Sequence, residues 1–406
     1  MLPAGNSAAG LSFGGLLKVL FLLALAGVAM RMTILAMPPV IPLVHRELHM
    51  SETQVGLLVG LPLALFAVAA VPGSLLIARV GIKLAVVAGM VIAALAGAAR
   101  GAAFDIWTLY AAAIATGFGV AIMQPAMPTL VREWLPNRIP LGTVIYSGGM
   151  LIGASLAPIF TIPYVLPLAG GSWRLSLVLW AIPAILIAPV FFLLSPASTD
   201  RMAGAKAMAG RWWPDWHNPV IWLIGFALGS NNSPYFATNA LLGDYLTSEG
   251  RPELLGPALG WLNASQIAAL PILLFASNRL QRRAWPFVLF GPMMLAAFIL
   301  LMVSSSTAGI IGAAAVIGFT GAMTFAPILA LPALLSLQGD VPRTAAGMFT
   351  VSYSCAIVVP TTCGALWDTS GKPWTAFLPL CFCAVVLTVL GALAARSKPS
   401  TDGSGR

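Results

Sequence analysis

Long apolar stretches alternate with short polar segments along the whole chain, and this pattern predicts a polytopic membrane protein. Twelve stretches are long enough to cross a bilayer, because a spanning helix needs about 20 predominantly apolar residues. They cover residues 17–41, 54–78, 83–103, 106–130, 140–166, 174–195, 218–246, 254–277, 285–304, 308–336, 343–367 and 374–395. The predicted fold class is therefore all-α, with twelve transmembrane helices.

The middle of the chain contains one clear polar break. Residues 196–217 are rich in alanine, glycine and basic residues and end in the cluster Trp212, Trp213 and Trp216, which is typical of a membrane interface. We therefore predict an N-terminal six-helix half over 1–195, a cytoplasmic linker over 196–217, a C-terminal six-helix half over 218–396, and a disordered tail over 397–406.

Composition supports the membrane class. Only 8% of the 406 residues are charged and 59% are hydrophobic, whereas a soluble domain carries about 25% charged residues. In a soluble protein the net charge of +9 would suggest a nucleic-acid partner. Here membrane topology explains it, so we expect the lipid bilayer and no nucleic acid. All four cysteines lie in late apolar stretches and are expected to be packing residues: Cys355, Cys363, Cys381 and Cys383.

The basic residues predict the orientation, because loops on the cytoplasmic side carry an excess of Lys and Arg. With the N-terminus inside, 15 basic residues are cytoplasmic and 5 are outside. Those outside are Arg46, Arg100, Arg174, Arg251 and Lys372. Both termini are therefore expected in the cytoplasm.

The two predicted halves repeat in parallel. Gly117-Phe118 corresponds to Gly318-Phe319 at an offset of 201. Pro140 and Pro158 correspond to Pro342 and Pro360 at an offset of 202. Several matches at nearly one offset indicate a duplicated six-helix unit. Parallel repeats of this kind are a transporter architecture, with the binding site between the halves near the middle of the membrane.

Arg31 lies near the middle of the first apolar stretch, with no acidic residue close by in the sequence. A charge at the bilayer centre costs several kcal/mol unless it is compensated. All twelve carboxylates fall in predicted loops or at span ends, so a bound anion is the simplest partner for this guanidinium. The alternative is that Arg31 donates to backbone carbonyls at the Pro38–Pro39 break and to a neighbouring amide.

Further polar side chains recur at helical spacing in the seventh stretch and are expected to face the same cavity. Asn231, Tyr235 and Asn239 share one face, and the repeat offset maps Arg31 onto Asn232. Hydrogen bonding between helices is the alternative role. Gln124 of the fourth stretch is as well explained by a structural amide as by cargo binding. Five further candidates are less specific: Tyr146, Tyr353, Asn263, Gln266 and Phe325.

One pair of histidines could serve as metal ligands. His45 and His49 lie four residues apart with Glu52 close by, and a metal pair there is less expected than a solvated helix end. The sequence contains no nucleotide loop, no Ser/His/Asp arrangement and no metal-ligand cluster. We therefore expect no enzymatic activity, no resident metal and no cofactor.

Residues 73–83 read GSLLIARVGIK and resemble the loop signature of the major facilitator superfamily, although Ala78 stands where that signature has an aspartate. The resemblance implies the major facilitator fold and a gating loop containing Arg79, Gly81 and Lys83. Gly148, Gly149, Gly153 and Pro158 are similar to the fifth-span pattern of antiporters, although such glycines also simply allow helices to approach closely.

A narrower resemblance is to the cyanate/nitroimidazole permease family. The stretches that carry it are Met30-Arg31-Met32 with Pro38 and Pro42-Leu43, then residues 119–128 (GVAIMQPAMP), then Pro140 to Gly148. Met32 replaces the usual proline, and the seventh stretch departs from the family pattern. The resemblance implies a cyanate-like or nitro-aromatic cargo, in a monomer of the bacterial inner membrane.

Taken together, the sequence predicts a carrier of a small anion, anchored by Arg31, that works by alternating access. The alternative is a multidrug or antibiotic exporter of the same fold, which fits the glycines but not Arg31, because a cationic drug would be repelled. A non-transporting sensor has no support. Since no carboxylate lies at mid-membrane, facilitated diffusion, exchange or protonation of the cargo is expected, rather than direct proton coupling.

Overall fold

The computed structural model describes residues 12–68, 79–135, 137–196, 214–280, 283–336 and 341–397. This part of the chain contains twelve long helices and no β-strand. They are α1 Phe13–Leu35, α2 Glu52–Val68, α3 Ile82–Ala99, α4 Ile106–Trp134, α5 Ile139–Phe160, α6 Trp173–Leu194, α7 Pro219–Ser248, α8 Leu255–Leu280, α9 Trp285–Val303, α10 Thr307–Leu335, α11 Val341–Ser370 and α12 Leu378–Arg396. The predicted fold class is confirmed, with two halves comprising α1–α6 and α7–α12.

Among the described residues, nine helical segments are long and apolar enough to cross a membrane. The remaining long helices are α2, α7 and α8; α7 and α8 contain the polar residues discussed below. Successive helices alternate in direction, so residues 12 and 397 lie at one end of the bundle. We call this the terminal end and the opposite one the distal end.

The first span is longer than one regular helix. After α1, a 3₁₀ turn (Pro38–Val40) and a short helix (Ile41–Leu48) extend it to Leu48, giving a segment of 36 residues. Proline lacks a backbone N–H and therefore interrupts the α-helical hydrogen bonds at this point. Arg31 lies midway along the whole segment rather than at its end. The short helix ends at His49, which adopts a left-handed conformation with φ 49°.

Side chains that accept backbone hydrogen bonds define the starts of several helices, as expected for N-caps. Asp105 accepts from the Thr108 backbone N–H at the start of α4, while the Thr108 hydroxyl pairs with the backbone N–H of Asp105. Hydrogen bonds from the Thr108 hydroxyl and then from its backbone hold the pKa of Asp105 below the ordinary value. Ser172, Asn218 and Ser306 cap α6, α7 and α10 in the same way.

Glycines allow the closest helix contacts. A methyl group added at Gly149 of α5 would collide with the backbone of Ala24 of α1, and one at Gly153 would collide with that of Val28. The fifth-span glycines 149 and 153 therefore serve close packing inside the N-terminal half.

A second glycine contact joins the two halves. We call the contact between α2 and α11 the glycine seam: Gly56 faces the backbone of Pro360, Gly60 faces Ile357, and Gly364 faces the backbone of Glu52. The helices meet there backbone to backbone at the distal end.

Three predicted features lie outside the described residues. They are positions 69–78, which include most of the loop signature and Ala78; most of the linker, at 197–213; and the tail beyond 397.

We expect Gly149→Ala to lower the melting temperature and Gly148→Ala to leave it nearly unchanged. The added methyl at position 149 would press against the α1 backbone, and overpacking of this kind typically costs about 1–3 kcal/mol. A methyl at position 148 meets nothing within 4 Å in the described part of the structure. Tryptophan fluorescence during heating of the purified variants provides the measurement. Equal melting temperatures would contradict the close α1–α5 packing.

Candidate functional site

Arg31 of α1 points across the interface between the halves. Its guanidinium carbon lies 5.9 Å from the ring centroid of Phe236 in α7, a distance at which the ring face attracts a cation. The side chain is half-buried. Within the described part of the chain it forms no ion pair and no hydrogen bond. Its donors are therefore free to bind a partner that is not part of the protein.

Tyr235 precedes Phe236 in α7, and the rings of the two residues make an edge contact at 5.1 Å. Its hydroxyl donates to Oδ1 of Asn263 in α8 at 2.6 Å. Nε2 of Gln266 is buried beside Tyr235 and forms no well-aligned hydrogen bond within the described residues. The C-terminal half therefore brings a second donor to the site.

A network of buried amide groups holds Tyr235 in place. Nδ2 of Asn263 donates to Oδ1 of Asn239 at 3.1 Å and to the Leu259 carbonyl at 2.9 Å. Asn239 donates to the backbone oxygen of Tyr235 at 2.8 Å. Because both asparagines are almost fully buried, these bonds satisfy groups that would otherwise be costly to bury. The network fixes Tyr235 rather than offering its own amides to a ligand.

Asn231 and Asn232 bind other helices of the C-terminal half. Oδ1 of Asn231 accepts from Thr324 of α10 at 2.6 Å, and Nδ2 of Asn232 donates to Ser352 of α11 at 3.0 Å. The structure therefore places both amides in helix contacts. Arg31 and Asn232, which correspond by the repeat offset, have different surroundings.

Gln124 joins the two halves. Its Nε2 donates to the Tyr353 hydroxyl of α11 at 3.0 Å. The Tyr353 ring makes an edge contact with Phe66 at 5.1 Å and stacks on Phe349 at 5.9 Å. Tyr146 of α5 is partly buried and packs against the core. These groups form a second polar contact between the halves, separate from the one around Arg31.

The less specific candidates differ in their surroundings. Phe325 is partly buried and packs against the core, and Met127 is fully buried. Trp261 is 55% exposed. In the loop signature, Arg79 is exposed, Gly81 has a positive φ of 86°, and the Lys83 amine lies 4.6 Å from the Phe192 ring centroid.

Arg100 is counted among the outside basic residues at the end of the predicted span 83–103, and the structure shows that it is buried, with only 3% of the residue exposed. Its guanidinium donates to the backbone oxygen of Thr33 in α1, and its Nε has no partner among the described residues. It lines a small cavity together with Phe236 and Asn239.

Two carboxylates assigned to the outside, Glu52 and Asp244, are also buried, each only 7% exposed. Both lie close to His45. His49, four residues after His45, is exposed in the turn that follows the short helix.

Comparison with known proteins identifies relatives over most of the chain. A family model described as Major Facilitator Superfamily matches residues 19–361. An uncharacterized transporter of Bacillus subtilis, YycB, is 24% identical over 368 residues, which is 89% of each chain. The 2-nitroimidazole transporter of Escherichia coli is 23% identical, covering 91% of this chain and 93% of its own. The cyanate transport protein CynX of Escherichia coli is 24% identical, covering 65% of this chain and 68% of its own.

Solved structures share the fold. A D-xylose–proton symporter superimposes with a TM-score of 0.74 at 13% identity, covering 94% of this chain and 96% of its own. A bacterial homologue of the human lysosomal transporter Spinster, in an inward-facing and unoccupied conformation, gives 0.72 at 15% identity, with 95% and 98% covered. Similarity at this level of identity extends to the fold alone.

We expect Asn263→Ala to destabilise the protein, because it leaves the Tyr235 hydroxyl without an acceptor and Asn239 without a donor. Each buried polar group left unsatisfied costs about 1–3 kcal/mol. Ser354→Ala is the matched control, since Ser354 is exposed and its hydroxyl donates to the Thr350 carbonyl of its own helix. Melting temperatures of the two variants test this, and a shift as large for Ser354→Ala as for Asn263→Ala would contradict it.

Proposed function

This chain belongs to the Major Facilitator Superfamily, and on that premise we propose that it transports a small anion by alternating access, with Arg31 holding the negative charge. As a multi-pass transporter of this superfamily it carries a small molecule. The choice of an anion rests on one observation, which is that Arg31 lies inside the bundle with its donors unused.

The electrostatic argument follows from the surroundings of Arg31. The Phe236 ring stabilises a cation only weakly, by about 0.5–2 kcal/mol, whereas a charge deep in the membrane costs several kcal/mol. The ring therefore offsets only part of the cost of the buried charge, and a bound anion would offset the rest. Because the guanidinium presents parallel N–H donors, the matching groups are a carboxylate, a nitro group or a small linear anion.

The remaining contacts suit a small, flat cargo. Nε2 of Gln266 supplies a second donor from the other half, and Phe236 supplies an aromatic face beside the guanidinium. Asn239 and Asn263 support the site through Tyr235. The other candidates are proposed to support the helices that carry it: Gln124, Asn231, Asn232, Tyr146, Tyr353 and Phe325. Two relatives are described as transporters of cyanate and of 2-nitroimidazole, so cyanate-like and nitro-aromatic compounds are the first candidates.

The movement that we propose is rocking of two units, residues 1–195 and 218–396, connected by the linker 196–217, with 397–406 as a tail. Contacts that cross between them must break and re-form. They include the Gln124–Tyr353 bond and the bond from the Ser155 hydroxyl to the Asn263 carbonyl at 3.1 Å. Arg79, Gly81 and Lys83 are proposed to act in the gating loop.

The distribution of Lys and Arg supports an orientation with the terminal end in the cytoplasm and the distal end outside. We place the protein as a monomer in a bacterial inner membrane. Export of apolar drugs by the same fold remains the competing proposal, although an unpaired guanidinium in the cavity would repel a cationic drug.

We expect Arg31→Ala to abolish saturable anion uptake and Arg31→Lys to retain part of it. Loss of a hydrogen bond to a charged group typically costs about 1.5–3 kcal/mol, which is roughly ten- to hundredfold in affinity. The measurement is flux of cyanate, benzoate and 2-nitroimidazole into proteoliposomes, with neutral benzamide as the comparison for benzoate.

Lys18→Ala is the matched control, because Lys18 is an exposed cation on the same helix. Anion flux that survives Arg31→Ala, or transport of cationic dyes in preference to all of these anions, would overturn the proposal and support drug export.

A further inference from the structure

Three titratable side chains from both halves meet near the distal end of the bundle. Nδ1 of His45 lies 2.9 Å from Oδ2 of Asp244 and 3.7 Å from Oε1 of Glu52. His45 and Glu52 belong to the N-terminal half, and Asp244 belongs to α7 of the C-terminal half. We call this group the distal cluster. It is separate from the Arg31 site and does not depend on the cargo.

With both carboxylates ionised, the distal cluster carries more negative charge than His45 can offset. The Glu52 and Asp244 side chains are 10% and 8% exposed, so water screens their mutual repulsion poorly. A single imidazole offsets at most one of the two charges. Oε2 of Glu52 is buried and has no hydrogen-bond partner among the described residues, which leaves a carboxylate oxygen available as a ligand.

The two distances from His45 are compatible with a transition-metal site. The three ligand atoms all lie within 4.8 Å of one another. In a tetrahedral zinc site with bonds of about 2.0–2.1 Å, neighbouring ligand atoms are roughly 3.3–3.4 Å apart. The distances of 2.9 and 3.7 Å from Nδ1 of His45 lie on either side of this value. One imidazole nitrogen and two carboxylates form a donor set that zinc accepts.

The surroundings hold the ligands in position. Asp368 of α11 accepts hydrogen bonds from the backbone N–H groups of Glu52 and Thr53, at 3.0 and 2.9 Å, and so fixes the start of α2. The backbone N–H of Met50 donates to the His45 carbonyl at 3.1 Å and closes the turn after the short helix. One quarter of the His45 side chain is exposed, which gives an ion a route of entry.

We propose that His45, Glu52 and Asp244 bind a divalent transition metal of the Zn²⁺ class, which connects the two halves at their distal ends. The ligands come from different halves, so the site is complete only when these ends are together. Bound metal therefore favours the arrangement in which the glycine seam is closed.

The test is titration of tag-free purified protein with Zn²⁺ by calorimetry, together with Co²⁺ absorption spectroscopy to report tetrahedral coordination. The four cysteines are replaced by alanine so that no thiol competes. We expect one Zn²⁺ per chain, a higher melting temperature with Zn²⁺, and a visible Co²⁺ band. Glu52→Gln and Asp244→Asn should each weaken Zn²⁺ binding at least about tenfold.

Two matched controls are available. Glu249→Gln removes an exposed carboxylate from the same end of α7, and His217→Gln removes a fully exposed histidine elsewhere; both should bind Zn²⁺ as the parent does. Metal-free melting temperatures of Glu52→Gln and Asp244→Asn show that these variants fold. Zn²⁺ binding that is absent, or unchanged in folded Glu52→Gln and Asp244→Asn, would overturn the proposal and leave protons as the cations of the cluster.

Discussion

Polar groups inside a helical bundle surrounded by hydrocarbon must find their partners within the protein, and this requirement organises the structure. Backbone groups are satisfied within the helices. Asn231, Asn232 and Asn263 pair with side chains of neighbouring helices and so set how α7, α8, α10 and α11 are arranged. Against this background, side chains whose donors remain unused stand out as functional candidates. Arg31 and Gln266 are the two that meet around Tyr235.

The helices were predictable from the sequence, because a chain that crosses hydrocarbon must pair its backbone N–H and C=O groups within the protein. Each of the twelve apolar stretches corresponds to one long helix, with ends that differ by several residues. The sequence marks a break at Pro38–Pro39, but it does not show the short helix Ile41–Leu48 that continues the span beyond it. Which side chains pair was not predictable either. Helical spacing places Asn231 and Asn239 on one face, but only the packed neighbours decide that Thr324 and Asn263 take up these amides.

The assignment of charged residues was least accurate at the ends of the spans. Arg100, Glu52 and Asp244 were placed among the outside residues, in loops or at span ends. In the structure the packed helices enclose all three, which are only 3–7% exposed. The result is an uneven charge distribution, with guanidinium groups toward the centre and carboxylates toward the distal end. An anion that approached Arg31 from the distal end would pass the distal cluster, where a bound cation would reduce the repulsion.

The glycine seam has a mechanical consequence. In most helix pairs, ridges of side chains on one helix fit into grooves on the other. Sliding one helix along the other then requires these side chains to leave their grooves. At Gly56 and Gly364 the contact is between backbones, and at Gly60 the backbone meets Cα and the side chain of Ile357. Such a surface offers little resistance to sliding or parting, and separating it uncovers few bulky apolar groups. Resistance to movement between the two halves is therefore low at the distal end, where a carrier has to open. The charged groups beside the glycine seam then determine how strongly this end is held closed.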